Sequence, residues 1–246
     1  MTDFLTIPER GFVEAVERES WAAALSLARQ GLDVGRACAS ISIKDPLLCV
    51  ALMDSKALEL SELLAPFRFE EILESRTSNP LLAAAHLISK LSHEGSRAPD
   101  PLACRVFQAV LKGGVDGFAG SPERLAEFLN QEDDYGWTPL MLCALAGYPE
   151  GARALLAAGA DPNIQADEGC ALGAAHSSNS GSSMSMLWLL LEAGADPGGP
   201  IVLDSQAPVL LRDLSPEAAE LVDNFLACQE LGASLPAGRA PKRPGL

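Results

Sequence analysis

The pattern of apolar and polar residues from 138 to 160 predicts two short helices joined by a tight link. Thr138 and Pro139 begin the first helix, because threonine caps exposed backbone amides and proline at the first helical position costs no hydrogen bond. Gly147 ends it, Glu150 opens the second helix, and Gly159 stops that helix in a left-handed conformation. The packing faces are apolar at helical spacing: Leu140, Leu142, Cys143 and Ala144, then Ala152, Leu155 and Leu156.

An altered copy of this two-helix unit follows. Gly169 lies 33 residues after Gly136, and the sequence Gly-Ala-Asp at 159–161 recurs 35 residues later at 194–196. One residue of Thr-Pro-Leu is missing from the copy, which leaves only Ala-Leu at 171–172. The polar tract 177–183 lengthens the link between its helices, which predicts a flexible surface loop.

The motif Gly136-Trp137-Thr138-Pro139-Leu140, followed by Gly-Ala-Asp-Pro-Asn at 159–163, resembles one complete ankyrin repeat. Units of that family recur about every 33 residues. The resemblance is specific over 133–197 and implies an all-α, ankyrin-type helical repeat solenoid. Weaker echoes of the pattern on both sides bring the expected number to about five to six irregular repeats.

Four segments are expected along the chain. Residues 1–130 form degenerate ankyrin-like or irregular helical repeats, 131–200 the clear repeats, 201–235 a capping repeat, and 236–246 a disordered basic tail.

Within the outer segments, local residues predict further helices. In the first segment, residues 12–31 form one unit, first helices begin at Pro46 and Pro80, and second helices cover 56–64 and 102–111, the latter ending at Gly113-Gly114. An extra helix is expected at 121–130. In the capping repeat, a first helix covers 207–211 and a second runs from 215 to about 232. The outer face of that second helix carries four acids: Glu217, Glu220, Asp223 and Glu230.

Composition and charge narrow the class of partner. The chain is 48% apolar but only 5% aromatic, which favours helix-on-helix packing. Its formal charge is −15, and the tail has three basic residues and no acid, so the rest carries −18. Phosphate backbones and anionic membranes are repelled by such a surface, whereas a basic protein partner is favoured. The partner is therefore expected to be a protein, with neither nucleic acid nor membrane bound, and the chain itself to be a monomer.

Targeting signals and cysteine spacing favour a cytoplasmic or otherwise intracellular protein. The first residues lack the basic start and apolar core that are typical of a signal peptide. The longest apolar run, 186–191, is far shorter than the roughly 20 residues of a membrane span. Six scattered cysteines without a Cys-x-x-Cys pair predict neither a zinc site nor a disulfide framework.

Catalytic chemistry has little support in the sequence. Cys143 and His176 fall on first helices of adjacent units, but ankyrin repeats fill the position of Cys143 with a core alanine. The acids Glu132, Asp133 and Asp134 lack the alternating spacing of a calcium loop. No enzyme activity, cofactor or metal is expected.

Partner contacts are implied by the resemblance, because ankyrin proteins bind through turn tips and the exposed side of their first helices. Trp137 is the expected anchor, since aromatic residues ringed by polar groups dominate interface energies. The positions that correspond to the family's contact residues are Asp134, Tyr135, Trp137, Leu145 and Ala146 in the clear repeat, then Asp167, Glu168 and Cys170 in the next.

The expected function is a non-enzymatic adaptor for protein–protein interaction. Two alternatives stay open at this point. One is an inhibitor or regulator dedicated to a single target, such as a bacterial immunity or effector protein. The other is an enzyme that uses a pocket with Cys and His residues in the irregular first half.

Overall fold

The computed structural model describes residues 6–18, 20–30, 32, 79–93, 99–166, 169–178, 183–201 and 208–234. The expected helices at 46 and 56–64 and the tail 236–246 lie outside these residues. Within them the protein has eleven helices and one two-stranded antiparallel hairpin, which confirms the all-α prediction. The helices are α1 Ile7–Glu17, α2 Trp21–Ala28, α3 Pro80–His93, α4 Pro101–Gly117, α5 Pro122–Asn130, α6 Pro139–Leu145, α7 Pro149–Ala158, α8 Ala171–Ser177, α9 Ser183–Glu192, α10 Leu211–Leu214 and α11 Pro216–Ser234. The hairpin pairs β1 Gln165–Ala166 with β2 Gly169–Cys170.

Backbone contacts divide the chain into two units. The first comprises residues 1–88 and 100–131, and the second comprises 89–99 and 132–246. Among the described residues, no helix is both long and apolar enough to cross a membrane.

The first unit begins with the helix pair α1 and α2, which pack against each other. The carboxylate of Glu9 accepts a hydrogen bond from the backbone N–H of Thr6, and proline stands in the first turn, so the start of α1 is well capped. Phe12 and Ala24 are completely buried, and Trp21 is nearly so. The pair agrees with the prediction of one helical unit in this region, but α1 begins at Ile7, before the expected start at Phe12.

Helix α4 corrects the prediction that Gly113-Gly114 end a helix at about residue 111. The helix continues to Gly117. Gly114 is buried in it, and a Cβ added there would overlap the ring of Phe128 from α5. Phe128 has no exposed surface and its ring lies 5.5 Å from that of Phe118, measured between centroids. Glycine is thus required here by packing, not by a turn.

The expected extra helix over 121–130 is confirmed as α5. Its last turn is joined to the start of α3 by the buried side chain of Asn79. The Nδ2 atom of Asn79 donates to the carbonyl of Phe128 at 2.7 Å, and its Oδ1 accepts from the N–H of Leu81 at 2.9 Å. A single amide group therefore satisfies two backbone groups from segments far apart in sequence.

The second unit is a stack of helix pairs. First helix α6 packs against first helix α8, second helix α7 packs against second helix α9, and α9 packs against α11. The Oγ1 atom of Thr138 accepts from the N–H of Met141 at 3.3 Å, as expected for the cap of α6. Gly147 and Gly159, which were expected to end the two helices, have φ values of 64° and 105°. These local predictions are confirmed.

The second helix pair keeps the same start with different residues. Cys170 directly precedes α8 with an extended backbone (φ −144°, ψ 173°), as Thr138 precedes α6 (φ −90°, ψ 161°). Cys170 therefore occupies the cap position. The prediction that a residue of Thr-Pro-Leu is missing is corrected: the shortening falls between Gly169 and Cys170, where Trp137 stands in the clear repeat.

The first helix of the expected capping repeat begins later than predicted. Val209 forms a bridge with Ile201, and the short helix α10 starts only at Leu211, so the predicted helix over 207–211 is wrong for its described part. The long helix α11 agrees with the prediction, and the Oγ atom of Ser215 accepts from the N–H of Ala218 at 3.1 Å. All four acids of its expected outer face are exposed.

Two glycines at corresponding helix ends allow the cost of a left-handed backbone to be measured separately from the cost of steric overlap. Gly159 and Gly194 have φ values of 105° and 97°, and nothing lies within 4 Å of a Cβ added at either. We expect Gly159→Val and Gly194→Val each to lower the free energy of unfolding by about 2 kcal/mol, because residues with a Cβ are disfavoured in this conformation. Urea unfolding provides the measurement. Gly120→Val is the control, since that site is equally open without a left-handed φ; equal losses at all three sites would contradict the assignment.

Candidate protein-interaction site

The turn that precedes α6 is held by one carboxylate. The Oδ1 atom of Asp133 accepts hydrogen bonds from the backbone N–H of Tyr135 at 2.9 Å and of Trp137 at 2.8 Å. The N–H of Asp133 donates to the carbonyl of Trp137 at 3.1 Å, and the N–H of Gly136 donates to the carbonyl of Asp133 at 3.0 Å. Gly136 has a φ of 80°, which permits the tight reversal. The turn is therefore fixed by its own hydrogen bonds.

The turn exposes one aromatic side chain to solvent. Tyr135 is 66% exposed, and Trp137 is less exposed, since it is half-buried. Glu132 and Asp134, on the same turn, are both exposed. Tyr135 with its two acidic neighbours, and Trp137 beside them, define what we call the turn-tip surface.

The other predicted contact residues lie in different environments. Leu145 is half-buried at the end of α6. Ala146 is 4% exposed and Cys170 is 2% exposed, so both side chains belong to the core and are not accessible to a partner. Asp167 and Glu168 lie outside the described residues.

Cys170 was chosen as a contact residue because it follows Gly169 as Trp137 follows Gly136. Its position as the cap of α8 explains its burial. Burial raises the pKa of its thiol above the ordinary value, and this effect outweighs the opposing effect of nearby polar groups of Gly173, Leu172 and Gln165. The net increase keeps the thiol uncharged at neutral pH.

The side chain of Asn163 connects the turn that follows α7 to the turn that follows α9. Its Nδ2 atom donates to the carbonyl of Gly194 at 3.0 Å, and its Oδ1 accepts from the N–H of Asp196 at 2.8 Å. The backbone N–H of Asn163 in turn donates to the Oδ1 of Asp161 at 2.8 Å. This contact is not predicted from the sequence, where its signal is the Asp-Pro-Asn motif at 161–163.

The ring of Tyr148 fills part of the core of the clear repeat. Its ring occupies the space above Gly151, where an added Cβ would overlap the ring and lie close to the Sγ of Cys143. Tyr148 is 6% exposed and Cys143 is completely buried. Cys143 therefore holds a packing position, as ankyrin repeats imply. Within the described ranges, no three His, Cys, Asp or Glu side chains are grouped to hold a metal ion.

The segment from residue 132 to residue 234, which contains the repeat stack, is much more acidic than the segment before it. Residues 132–234 contain fifteen acidic and two basic residues, a formal charge of −13, whereas residues 1–131 contain eighteen and thirteen, a charge of −5. Of the two cations, Arg153 is exposed, and Arg212 donates to the Oδ1 of Asp223 at 2.7 Å. The acidic field is thus concentrated on the repeat stack that carries the turn-tip surface.

Comparison with known proteins agrees with this geometry. Residues 135–167 match the family model for the ankyrin repeat. This segment contains the second half of the turn held by Asp133, together with α6 and α7. This segment is an ankyrin repeat, the core of an all-α stack. No curated protein matches the chain. Ankyrin repeats are a non-enzymatic interaction fold, so the repeat marks a protein–protein interaction module.

Proposed function

We propose that this protein is a non-enzymatic adaptor that binds a basic protein segment through the turn-tip surface. The observation that carries the proposal is Tyr135, an exposed aromatic ring on a turn fixed by Asp133. Because the backbone that carries the ring is already held in the turn, less conformational freedom is lost when a partner covers it. Tyrosine and tryptophan are also the residues that most often dominate interface energies.

The charge of the surface supports a basic partner. Glu132 and Asp134 precede Tyr135 on the same turn and are both exposed. A lysine or arginine placed over the tyrosine ring gains a cation–π attraction and is also attracted by these acids. The −13 charge of residues 132–234 adds attraction at longer range, which mainly accelerates association. A nucleic acid or an anionic membrane would be repelled by the same field.

The direct test is affinity capture from native cell extract, with partners identified by mass spectrometry. For a captured partner, Tyr135→Ala is expected to weaken binding by about 2 kcal/mol, or roughly thirtyfold, as for an interface anchor. We expect Trp137→Ala to weaken binding by a similar amount. Isothermal titration provides the affinities, and circular dichroism checks that each variant is folded.

Met184→Ala is the matched control, because that side chain is 39% exposed at another place in the same unit. Equal binding by the natural chain and both aromatic variants would exclude the turn-tip surface as the binding site.

Raising the salt concentration from 50 to about 300 mM should also weaken binding of the partner, because the Debye length falls below about 10 Å. If the captured partner is an enzyme that the complex inhibits one to one, the adaptor would be reassigned as a dedicated inhibitor.

A further inference from the structure

We propose that the basic segment 235–246 of this chain binds to the outer stripe of α11, formed by Asp223, Leu226 and Glu230. This inference does not rest on the proposed function, since it concerns only the chain itself. It would, however, give the acidic stack a tethered basic ligand of its own.

The stripe combines charge with an unexpected apolar side chain. Leu226 is 40% exposed, although it lies on the outer face of the terminal helix, where solubility favours polar residues. Asp223 and Glu230 stand three residues before it and four residues after it, so helical geometry places both acids beside the leucine. The stripe is therefore an apolar spot between two carboxylates.

A second exposed apolar segment lies close to the stripe. The Nη2 atom of Arg212 donates to the Oδ1 of Asp223 at 2.7 Å, which places the start of α10 beside this part of α11. Val209 and Leu210, just before α10, are 37% and 39% exposed. In the described part of the chain, six large apolar side chains are exposed. Three of them, Val209, Leu210 and Leu226, belong to the region of α10 and α11.

Segment 235–246 has the matching chemistry. It carries Arg239, Lys242 and Arg243 and no acid, with leucines at both of its ends. Beyond the segment, residues 132–234 offer only two basic side chains against fifteen acids. Charge complementarity therefore favours this segment over a second copy of the acidic stack, which would bring like charges together.

The length of the segment is sufficient. It follows directly on Ser234, the last residue of α11, and Leu226 lies eight residues earlier, or about 12 Å along the helix. Twelve residues span at most about 40 Å, so the segment reaches every position of the stripe. Tethering also raises its effective concentration to the order of millimolar, which makes a weak contact significant.

A labelled synthetic peptide of residues 235–246 provides the probe, and its fluorescence anisotropy reports binding to the full chain. The natural chain is compared with Arg239→Gln/Lys242→Gln/Arg243→Gln, which retains the stripe but loses the charges of the tethered segment. At low salt, we expect the peptide to bind the neutralised chain at least about threefold more tightly, because the tethered competitor is weakened. Equal binding to both chains, or binding to neither, would overturn the proposal.

Two pairs of variants in the neutralised chain locate the site. Glu230→Lys should weaken peptide binding about fivefold, whereas Glu150→Lys, an identical charge change at an exposed site on α7, should have less than about a twofold effect. Leu226→Ser should weaken binding about threefold, and Met184→Ser, at a side chain of similar exposure, should not. Equal effects within each pair would indicate unspecific attraction and overturn the assignment. A dimer of the natural chain that Leu226→Ser dissociates in analytical ultracentrifugation would assign the stripe to a second copy instead.

Discussion

Gly114→Val is expected to lower the free energy of unfolding by about 3 kcal/mol or more. A Cβ at this position overlaps the ring of Phe128, and Phe128 has no exposed surface into which it can retreat. Overpacking of a dense core typically costs about 1–3 kcal/mol, and valine adds two methyl groups beyond the overlapping Cβ. The gain from replacing a helical glycine is only about 1 kcal/mol or less, so packing decides the sign.

Urea unfolding checks this expectation. Phe128→Leu in the Gly114→Val background should restore part of the lost stability, because the smaller side chain makes room for the added Cβ. Gly120→Val is the control, with nothing within 4 Å of its Cβ and an expected change within about 0.5 kcal/mol. If Gly114→Val were as stable as the natural protein, α4 and α5 would not pack as described.

Leu155→Ala is expected to lower the free energy of unfolding by about 3 kcal/mol. Leu155 is completely buried in α7, and truncation of such a leucine leaves a cavity as well as losing apolar burial. Its neighbour Leu156 is only half-buried. Leu156→Ala should therefore cost about 1 kcal/mol, because part of that side chain is already in contact with water.

The two leucine variants form a matched pair, with the same chemical change on adjacent residues of one helix. Chemical denaturation with circular dichroism gives both values under identical conditions. A larger loss for Leu156→Ala than for Leu155→Ala would mean that α7 faces its neighbours with the other side. That result would contradict the packing of the ankyrin repeat at 135–167.

Sequence alone predicted the elements whose ends are specified locally. Thr138 as a cap, Gly159 as a left-handed stop and the cap of α11 at Ser215 each act within one helical turn, so short-range patterns were sufficient. Gly114 was misassigned because its requirement comes from Phe128, a residue on another helix. Long-range packing of this kind leaves no mark in the sequence around the glycine.

The candidate site was predicted in outline but not in detail. The turn before α6 and its acids follow from the resemblance. Trp137 remains the predicted anchor, whereas the ring that the structure shows most exposed is that of Tyr135. Their exposure depends on the hydrogen bonds that Asp133 makes to both backbone amides, which a pattern of residue types does not specify. Cys170 was misplaced by one position, because a single-residue deletion can be aligned on either side of a turn until the start of the helix is known.

The side chain of Asn163 connects two successive turns through one donor and one acceptor. Neither turn can rotate away from the other without breaking both bonds, so the pair behaves as a mechanical linkage. In a repeat stack, such nearest-neighbour links determine whether units melt one by one or in a single transition. The two bonds of Asn163 are such a link between the clear repeat and the second helix pair.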